Sequence, residues 1–175
     1  MKQLLILFCL CLSNGILSQN VFDIARSGTK SQMETYLDLH PADLNIKSEH
    51  GASPFLLAAY RGNNEVALLL IEKGADLTYC YAEGAAIYAL IYKNNLPLLD
   101  EILKRGVNPN DTCQFEQMGY PLHFALSLQK IEAVELLLKY NARTDILDPQ
   151  QRTIPQLLKL YNNKNLNDLF EKYEK

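Results

Sequence analysis

The side chains best suited to chemistry in this 175-residue chain are three histidines and four cysteines. They are His40, His50, His123, Cys9, Cys11, Cys80 and Cys113. No histidine stands at a spacing from a nucleophile or carboxylate that a catalytic signature uses. Thiolate and imidazole are zinc ligands, but these residues lack the paired C-x-x-C or H-x-x-x-H spacing of a structural site. The sequence therefore predicts no catalytic residue, no metal site and no cofactor.

Other polar residues also favour structural roles. Ser53 and Thr153 precede helix starts, where a hydroxyl caps backbone N–H groups, so neither is predicted to be a nucleophile. The eight glycines are spread singly through turns, which argues against a glycine-rich phosphate loop. The chain has 17 Lys and Arg against 20 Asp and Glu and shows no basic patch, so nucleic acid is not the expected partner.

The elements that would position these side chains recur along the chain. Segment 53–59, Ser-Pro-Phe-Leu-Leu-Ala-Ala, is answered by segment 120–125, Tyr-Pro-Leu-His-Phe-Ala. Four helix-ending segments begin 32 to 35 residues apart, at Pro41, Gly74, Gly106 and Asn141. Each unit offers a short apolar helix, a tight turn and a second amphipathic helix. Self-similarity at this period predicts a stack of repeats.

These motifs resemble the ankyrin repeat, with its Thr-Pro-Leu-His-x-Ala-Ala start and Gly-Ala-Asp-x-Asn end. The resemblance implies an all-α solenoid of about five stacked helix pairs with finger-like turns: an N-terminal cap, three central repeats and a C-terminal cap. In the middle unit Ala85–Leu90 replaces the Pro-Leu-His signature, and Leu96-Pro97 opens the second helix. His123 would, by the same resemblance, tie one repeat's turn to the next. The signature positions are Pro54, Gly74, Gly106, Pro121 and His123.

The first 18 residues have a different pattern. Lys2 precedes an apolar run over 4–12 and a small-residue exit, which is typical of a secretory signal peptide. A buried first helix is the competing interpretation, although a capping helix already begins at Val21. We expect cleavage after Ser18, or alternatively after Gly15, to leave one repeat domain over 19–175. Its units are expected at about 20–46, 47–79, 80–110, 111–145 and 146–175.

Cleavage would leave Cys80 and Cys113 as the two cysteines of an exported protein, a situation that favours a disulfide. Both residues fall in finger turns of neighbouring repeats. Neighbouring fingers are expected to lie farther apart than the Cα separation of about 7 Å that a disulfide tolerates. Extra residues over 111–118 could bring Cys113 closer. The sequence leaves open a bridge and two small apolar residues that never meet.

By resemblance, the function is non-enzymatic binding of a partner protein through the concave face and finger turns. The chain would be a monomer in the periplasm or outside a bacterial, Gram-negative cell, with no membrane insertion after signal cleavage. An immunity-like role that masks an exported enzyme or toxin, and a redox role for Cys80 and Cys113, are the alternatives. The candidate partner-binding residues are Glu49, His50, Tyr60, Arg61, Tyr79, Tyr81, Glu83, Tyr92, Lys93, Gln114, Phe115 and Tyr120.

Overall fold

The computed structural model describes residues 20–81, 84–113 and 119–173. These residues form ten α-helices in five consecutive pairs. The chain divides after Asp76 into two compact units. The predicted signal peptide, residues 1–18, lies outside the described residues.

Unit one contains two helix pairs and a short 3-10 helix. Side-chain oxygens cap three of its helices, and the Ser53 hydroxyl accepts a hydrogen bond from the Leu56 N–H at 3.2 Å, which confirms the predicted cap. Gly62 ends a first helix in the left-handed conformation, with φ of 74°, as a tight turn requires. The elements are α1 (Val21–Ser27), α2 (Lys30–Leu39), the 3-10 helix (Pro41–Asn45), α3 (Pro54–Arg61) and α4 (Asn64–Glu72).

Amide side chains bind the two helix pairs of unit one to each other. Nδ2 of Asn63 donates to the carbonyl oxygen of Gly28 at 2.9 Å. Oδ1 of Asn45 accepts from the backbone N–H of Asp76 at 2.9 Å. Between the helices lies an apolar core in which Ile24, Met33 and Phe55 are almost completely buried. Burial of this kind is the main term that stabilises stacked helices.

Unit two contains three helix pairs and a two-stranded sheet. Its elements are β1 (Cys80–Tyr81), β2 (Gly84–Ala85), α5 (Ala86–Lys93), α6 (Leu96–Lys104), α7 (Pro121–Ser127), α8 (Ile131–Lys139), α9 (Ile154–Tyr161) and α10 (Lys164–Tyr173). The strands are antiparallel, with Cys80 opposite Ala85. Pro97 lies in the first turn of α6, where its missing N–H costs little, as predicted.

Unit two repeats the amide tie found in unit one. Oδ1 of Asn110 accepts from the backbone N–H of Arg143 at 2.8 Å, and its Nδ2 donates to the carbonyl oxygen of Asn141 at 3.3 Å. Asn45 and Asn110 both occupy the last position of the Gly-Ala-Asp-x-Asn pattern. In these two segments the closing asparagine side chain satisfies backbone groups of the corresponding turn one repeat later.

Candidate functional site

A disulfide joins two successive finger turns of unit two, the first containing Cys80 and the second containing residues 111–113. It links Cys80 in β1 to Cys113, and the two Cα atoms lie 5.5 Å apart. Cys113 has a left-handed φ of 47°, and its N–H donates to Oδ1 of Asp111 at 2.9 Å. This local turn places the Cα of Cys113 within the separation of about 7 Å from the Cα of Cys80 that a disulfide tolerates. The sequence alone had not settled this separation. Cys113 is only 6% exposed, while Cys80 is half-buried.

Tyr88 of α5 holds the same second finger through hydrogen bonds to its backbone. Its buried hydroxyl donates to the carbonyl oxygen of Gly119 at 2.8 Å and lies 3.2 and 3.3 Å from the carbonyl oxygens of Asp111 and Thr112. Burial, reinforced by the nearby Asp111 carboxylate, raises the pKa of Tyr88 well above its usual range. The phenol therefore stays protonated and keeps its donor role. Sequence reasoning missed this residue, although it occupies the histidine position of the repeat signature.

His123 occupies the corresponding position one repeat later but makes a different set of contacts. Its side chain is 3% exposed, and neither ring nitrogen has a well-formed hydrogen bond to a described residue. The Tyr120 ring packs edge-on at 5.9 Å. Burial lowers the pKa of His123, and the Asp148 carboxylate and the Ile146 backbone offset part of the shift. A hydrogen-bonded tie at this repeat position is thus made by Tyr88 to its own following finger, whereas the tie implied for His123 has no well-formed hydrogen bond to a described residue.

The last finger of unit two is stabilised mainly from within. The buried Asp148 carboxylate accepts from the backbone N–H and from Nε of Arg152, each at 2.7 Å. Burial acts to raise the pKa of Asp148, but hydrogen bonds from Arg152 and from the Gln150 backbone lower it overall. Pro149 of this finger lies close to Gly119. A Cβ built on that glycine would lie only 2.8 Å from Pro149 Cδ.

Two of the predicted partner-binding pairs project from the ends of first helices. In unit two, Tyr92 is 54% exposed and Nζ of Lys93 lies 5.5 Å from the centre of its ring. In unit one, Tyr60 is 44% exposed and Cζ of Arg61 lies 6.0 Å from its ring centre. Each unit thus presents an aromatic ring beside a cation.

The other predicted partner-binding residues are less uniform. Glu49 and His50 are exposed in the turn before α3. Tyr79, Tyr81 and Tyr120 are half-buried in the fingers of unit two. Glu83, Gln114 and Phe115 lie outside the described residues.

Leu160 is an exposed apolar side chain that sequence reasoning missed. It is 59% exposed near the end of α9. It stands two residues before Asn162, which has a left-handed φ, just as Tyr92 stands two before Asn94. Aligning the helix ends of successive repeats would have identified it.

Within residues 20–81, 84–113 and 119–173, no three His, Cys, Asp or Glu side chains cluster in a way that could hold a metal ion. In those same ranges no helix has the length and apolarity needed to cross a bilayer.

A family model described as "Ankyrin repeat" matches residues 50–81, which include α3, α4 and the turn that follows them. The chain is an ankyrin-repeat protein. Its fold class is the all-α ankyrin-repeat solenoid. The match agrees with the recurring helix pairs and with the asparagine ties between turns.

Relatives of this ankyrin-repeat protein come from several kinds of organism. An ankyrin repeat protein of Fowlpox virus (strain NVSL) is 27% identical over 70% of this chain and 28% of its own. An ankyrin repeat protein of Rickettsia bellii (strain RML369-C) is 49% identical over 25% of this chain and 26% of its own. Tyrosine-protein kinase HTK16 of Hydra vulgaris is 24% identical over 75% of this chain and 17% of its own. The chain therefore spans less than a third of the length of these relatives.

Ankyrin repeats generally mediate protein–protein interaction and are generally not enzymes. The kinase relative is named for a catalytic activity, but this chain matches only 17% of its length. A repeat scaffold fixes how side chains are presented, and its specificity lies in the exposed residues grafted on it.

Proposed function

We propose that this ankyrin-repeat protein is a non-enzymatic module that binds a partner protein outside the cytoplasm through its first-helix ends and fingers. Tyr92 carries the proposal. It is 54% exposed at the end of α5, whereas Ile87, Leu90 and Ile91 of the same helix are buried. Repeat packing thus buries these side chains and leaves the Tyr92 ring largely exposed. Tyrosine offers a large, rigid contact area with a polar tip, as binding hot spots require.

Two further observations support binding. Unit one repeats the pattern with Tyr60 beside Arg61, so an exposed ring with a neighbouring cation occurs on a first helix of each unit. In unit two the disulfide and Tyr88 hold one finger in place before any partner arrives. A surface ordered in advance loses less conformational entropy on binding.

The Cys80–Cys113 disulfide also supports a location outside the cytoplasm, because structural disulfides persist in oxidising compartments. The signal-like pattern of residues 1–18 supports the same proposal. Fusing these residues to alkaline phosphatase without its own signal tests it in a Gram-negative host. We expect active enzyme from the native segment and inactive enzyme from Leu5→Arg/Leu7→Arg, which interrupts the apolar run. Equal activity from both fusions would contradict the proposal.

Affinity capture tests the binding function. Residues 19–175, with the disulfide formed, are immobilised and exposed to an extracytoplasmic extract of the host, beside a Tyr60→Ala/Tyr92→Ala variant. We expect a partner on the native protein and not on the variant, while the two unfold at similar urea concentrations. A stable one-to-one complex with an exported enzyme or toxin would favour the immunity-like alternative. A partner retained by both proteins would refute the role of these tyrosines.

A further inference from the structure

The backbone on the Cys113 side of the disulfide is held by contacts other than the bridge itself. The Tyr88 hydroxyl donates to the carbonyl oxygen of Gly119 at 2.8 Å. The same hydroxyl lies 3.2 and 3.3 Å from the carbonyl oxygens of Asp111 and Thr112, the two residues directly before Cys113. Because Tyr88 is 2% exposed, a buried side chain of α5 fixes the chain on both sides of this cysteine.

The Asp111 side chain shapes the turn at Cys113. Its Oδ1 accepts a hydrogen bond from the Cys113 N–H at 2.9 Å, and Cys113 has a φ of 47°. A residue with a Cβ adopts this left-handed conformation at a cost, so a local hydrogen bond that supports the turn helps to stabilise it. Neither this contact nor those of Tyr88 includes a sulfur atom, so they can persist when the disulfide is reduced.

The Cys80 side of the bridge is held relative to the same helix. Cys80 lies opposite Ala85 in the antiparallel pairing of β1 with β2. Ala85 is buried and directly precedes α5, in which Tyr88 is the third residue. The start of α5 is therefore a common base for the two cysteines, one through strand pairing and the other through the Tyr88 hydroxyl.

We infer that Tyr88 and Asp111 are positioning residues for the Cys80–Cys113 bridge, which opens and closes within folded unit two. The finger at 111–113 is thus a redox-responsive element whose reduced form keeps its two thiols close together. Contacts that order this finger raise the effective concentration of one thiol at the other, and so raise the equilibrium constant for bridge formation. By linkage, the bridge strengthens the Tyr88 contacts by the same factor. The inference does not depend on the proposed binding function.

Dithiothreitol is the probe that opens the bridge. It gives up two electrons and two protons and closes to its cyclic disulfide, while the protein S–S bond breaks and leaves thiols at Cys80 and Cys113. The folded full chain is equilibrated with mixtures of reduced and oxidised dithiothreitol, on a Cys9→Ser/Cys11→Ser background that prevents other pairings. Iodoacetamide labelling of the two remaining cysteines, followed by peptide mass spectrometry, gives the equilibrium constant.

Four variants separate positioning from general loss of stability. Tyr88→Phe should lower the equilibrium constant for bridge formation by about fivefold or more. Asp111→Ala should lower it too, whereas Asp111→Asn keeps an acceptor oxygen and should stay within about twofold of the native value. Ser53→Ala is the matched control, because it removes a buried hydroxyl that bonds the Leu56 N–H in unit one. It should also stay within about twofold.

Urea unfolding completes the thermodynamic cycle. Tyr88→Phe should lower the free energy of unfolding more in the oxidised protein than in the reduced protein, by the amount that its change in the equilibrium constant requires. An unchanged equilibrium constant in Tyr88→Phe, or an equal change in Ser53→Ala, would overturn the inference. If Tyr88→Phe does not fold, an unchanged constant in Asp111→Ala overturns it. Loss of the helical circular dichroism signal on reduction of the native protein would also overturn it, since the bridge would then not open within a folded unit.

Discussion

Tyr88 and His123 occupy the same position of two successive repeats, the third residue of α5 and of α7. Both are buried, yet the Tyr88 hydroxyl donates to the Gly119 carbonyl at 2.8 Å whereas the His123 nitrogens have no well-formed hydrogen bond to a described residue. Side chains at this position of the repeat are therefore buried in both cases, but the contacts that they make differ. The longer tyrosine side chain reaches the backbone of the next finger, and that finger is held from the helix below it.

The two fingers that follow these helices are consequently stabilised in different ways. The finger at 111–113 is tied to Tyr88 and to Cys80, both distant in sequence. The last finger relies on hydrogen bonds from Arg152 to the buried Asp148 within one short turn. Variants that each remove one of these contacts can show how far each finger depends on it.

The largest expected effect comes from the disulfide. Cys80→Ser/Cys113→Ser should lower the free energy of unfolding by about 3–4 kcal/mol, because the bridge restricts the unfolded chain over 33 residues. Urea unfolding measures the loss, and the native protein under reductant should lose a similar amount. Hydrogen exchange at 145–152 should change less than at 111–113. Equal unfolding curves for oxidised and reduced protein would show that the bridge contributes nothing.

Gly119→Ala should cost about 2–4 kcal/mol, from left-handed strain together with overpacking. The φ of Gly119 is 71°, and a Cβ there would meet Pro149 Cδ at 2.8 Å. Gly106→Ala is the matched control, because its φ is 92° but nothing lies within 4 Å of the added Cβ. The control should lose only the strain, about 1–2 kcal/mol. Equal losses in chemical denaturation would mean that Pro149 moves away without cost.

Tyr88→Phe should cost about 1–3 kcal/mol, because buried carbonyls lose their donor while the ring stays in place. His123→Leu at mildly alkaline pH should cost less, about 1 kcal/mol or below, since no well-formed hydrogen bond is lost. The two unfolding free energies, measured side by side, test the central contrast. A larger loss of unfolding free energy for His123→Leu than for Tyr88→Phe would contradict this contrast.

The smallest effect concerns pH. Burial lowers the pKa of His123, so the unfolded chain binds its proton more readily than the folded protein. The resulting stability is fully present above the unfolded pKa of about 6.5 and declines as the pH falls through that value. Urea midpoints between about pH 8 and pH 5 should drop more steeply for the native protein than for His123→Leu. Parallel profiles would show that His123 does not contribute to the slope.

Much of the helix framework could be predicted from the repeat pattern, because proline, glycine and asparagine mark where helices begin and end. Ser53 caps α3 and Pro97 opens α6 as expected. Tyr88 could not be assigned its role, because its acceptors are backbone carbonyls 23 to 31 residues later that belong to no helix or strand. The sequence likewise did not settle whether Cys80 and Cys113 form a disulfide, because the position of Cys113 depends on a left-handed backbone. Leu160, by contrast, could have been identified, because it precedes Asn162 by two residues as Tyr92 precedes Asn94.

Site-specific photo-crosslinking in living host cells tests most directly whether the first helices bind a partner. A photo-crosslinking amino acid replaces Tyr92 in one variant and Lys104 in another, and these positions lie at the ends of α5 and α6. We predict a single protein adduct from position 92 and none from position 104. No adduct at position 92, or the same adducts at both positions, would contradict a binding surface on the first helices.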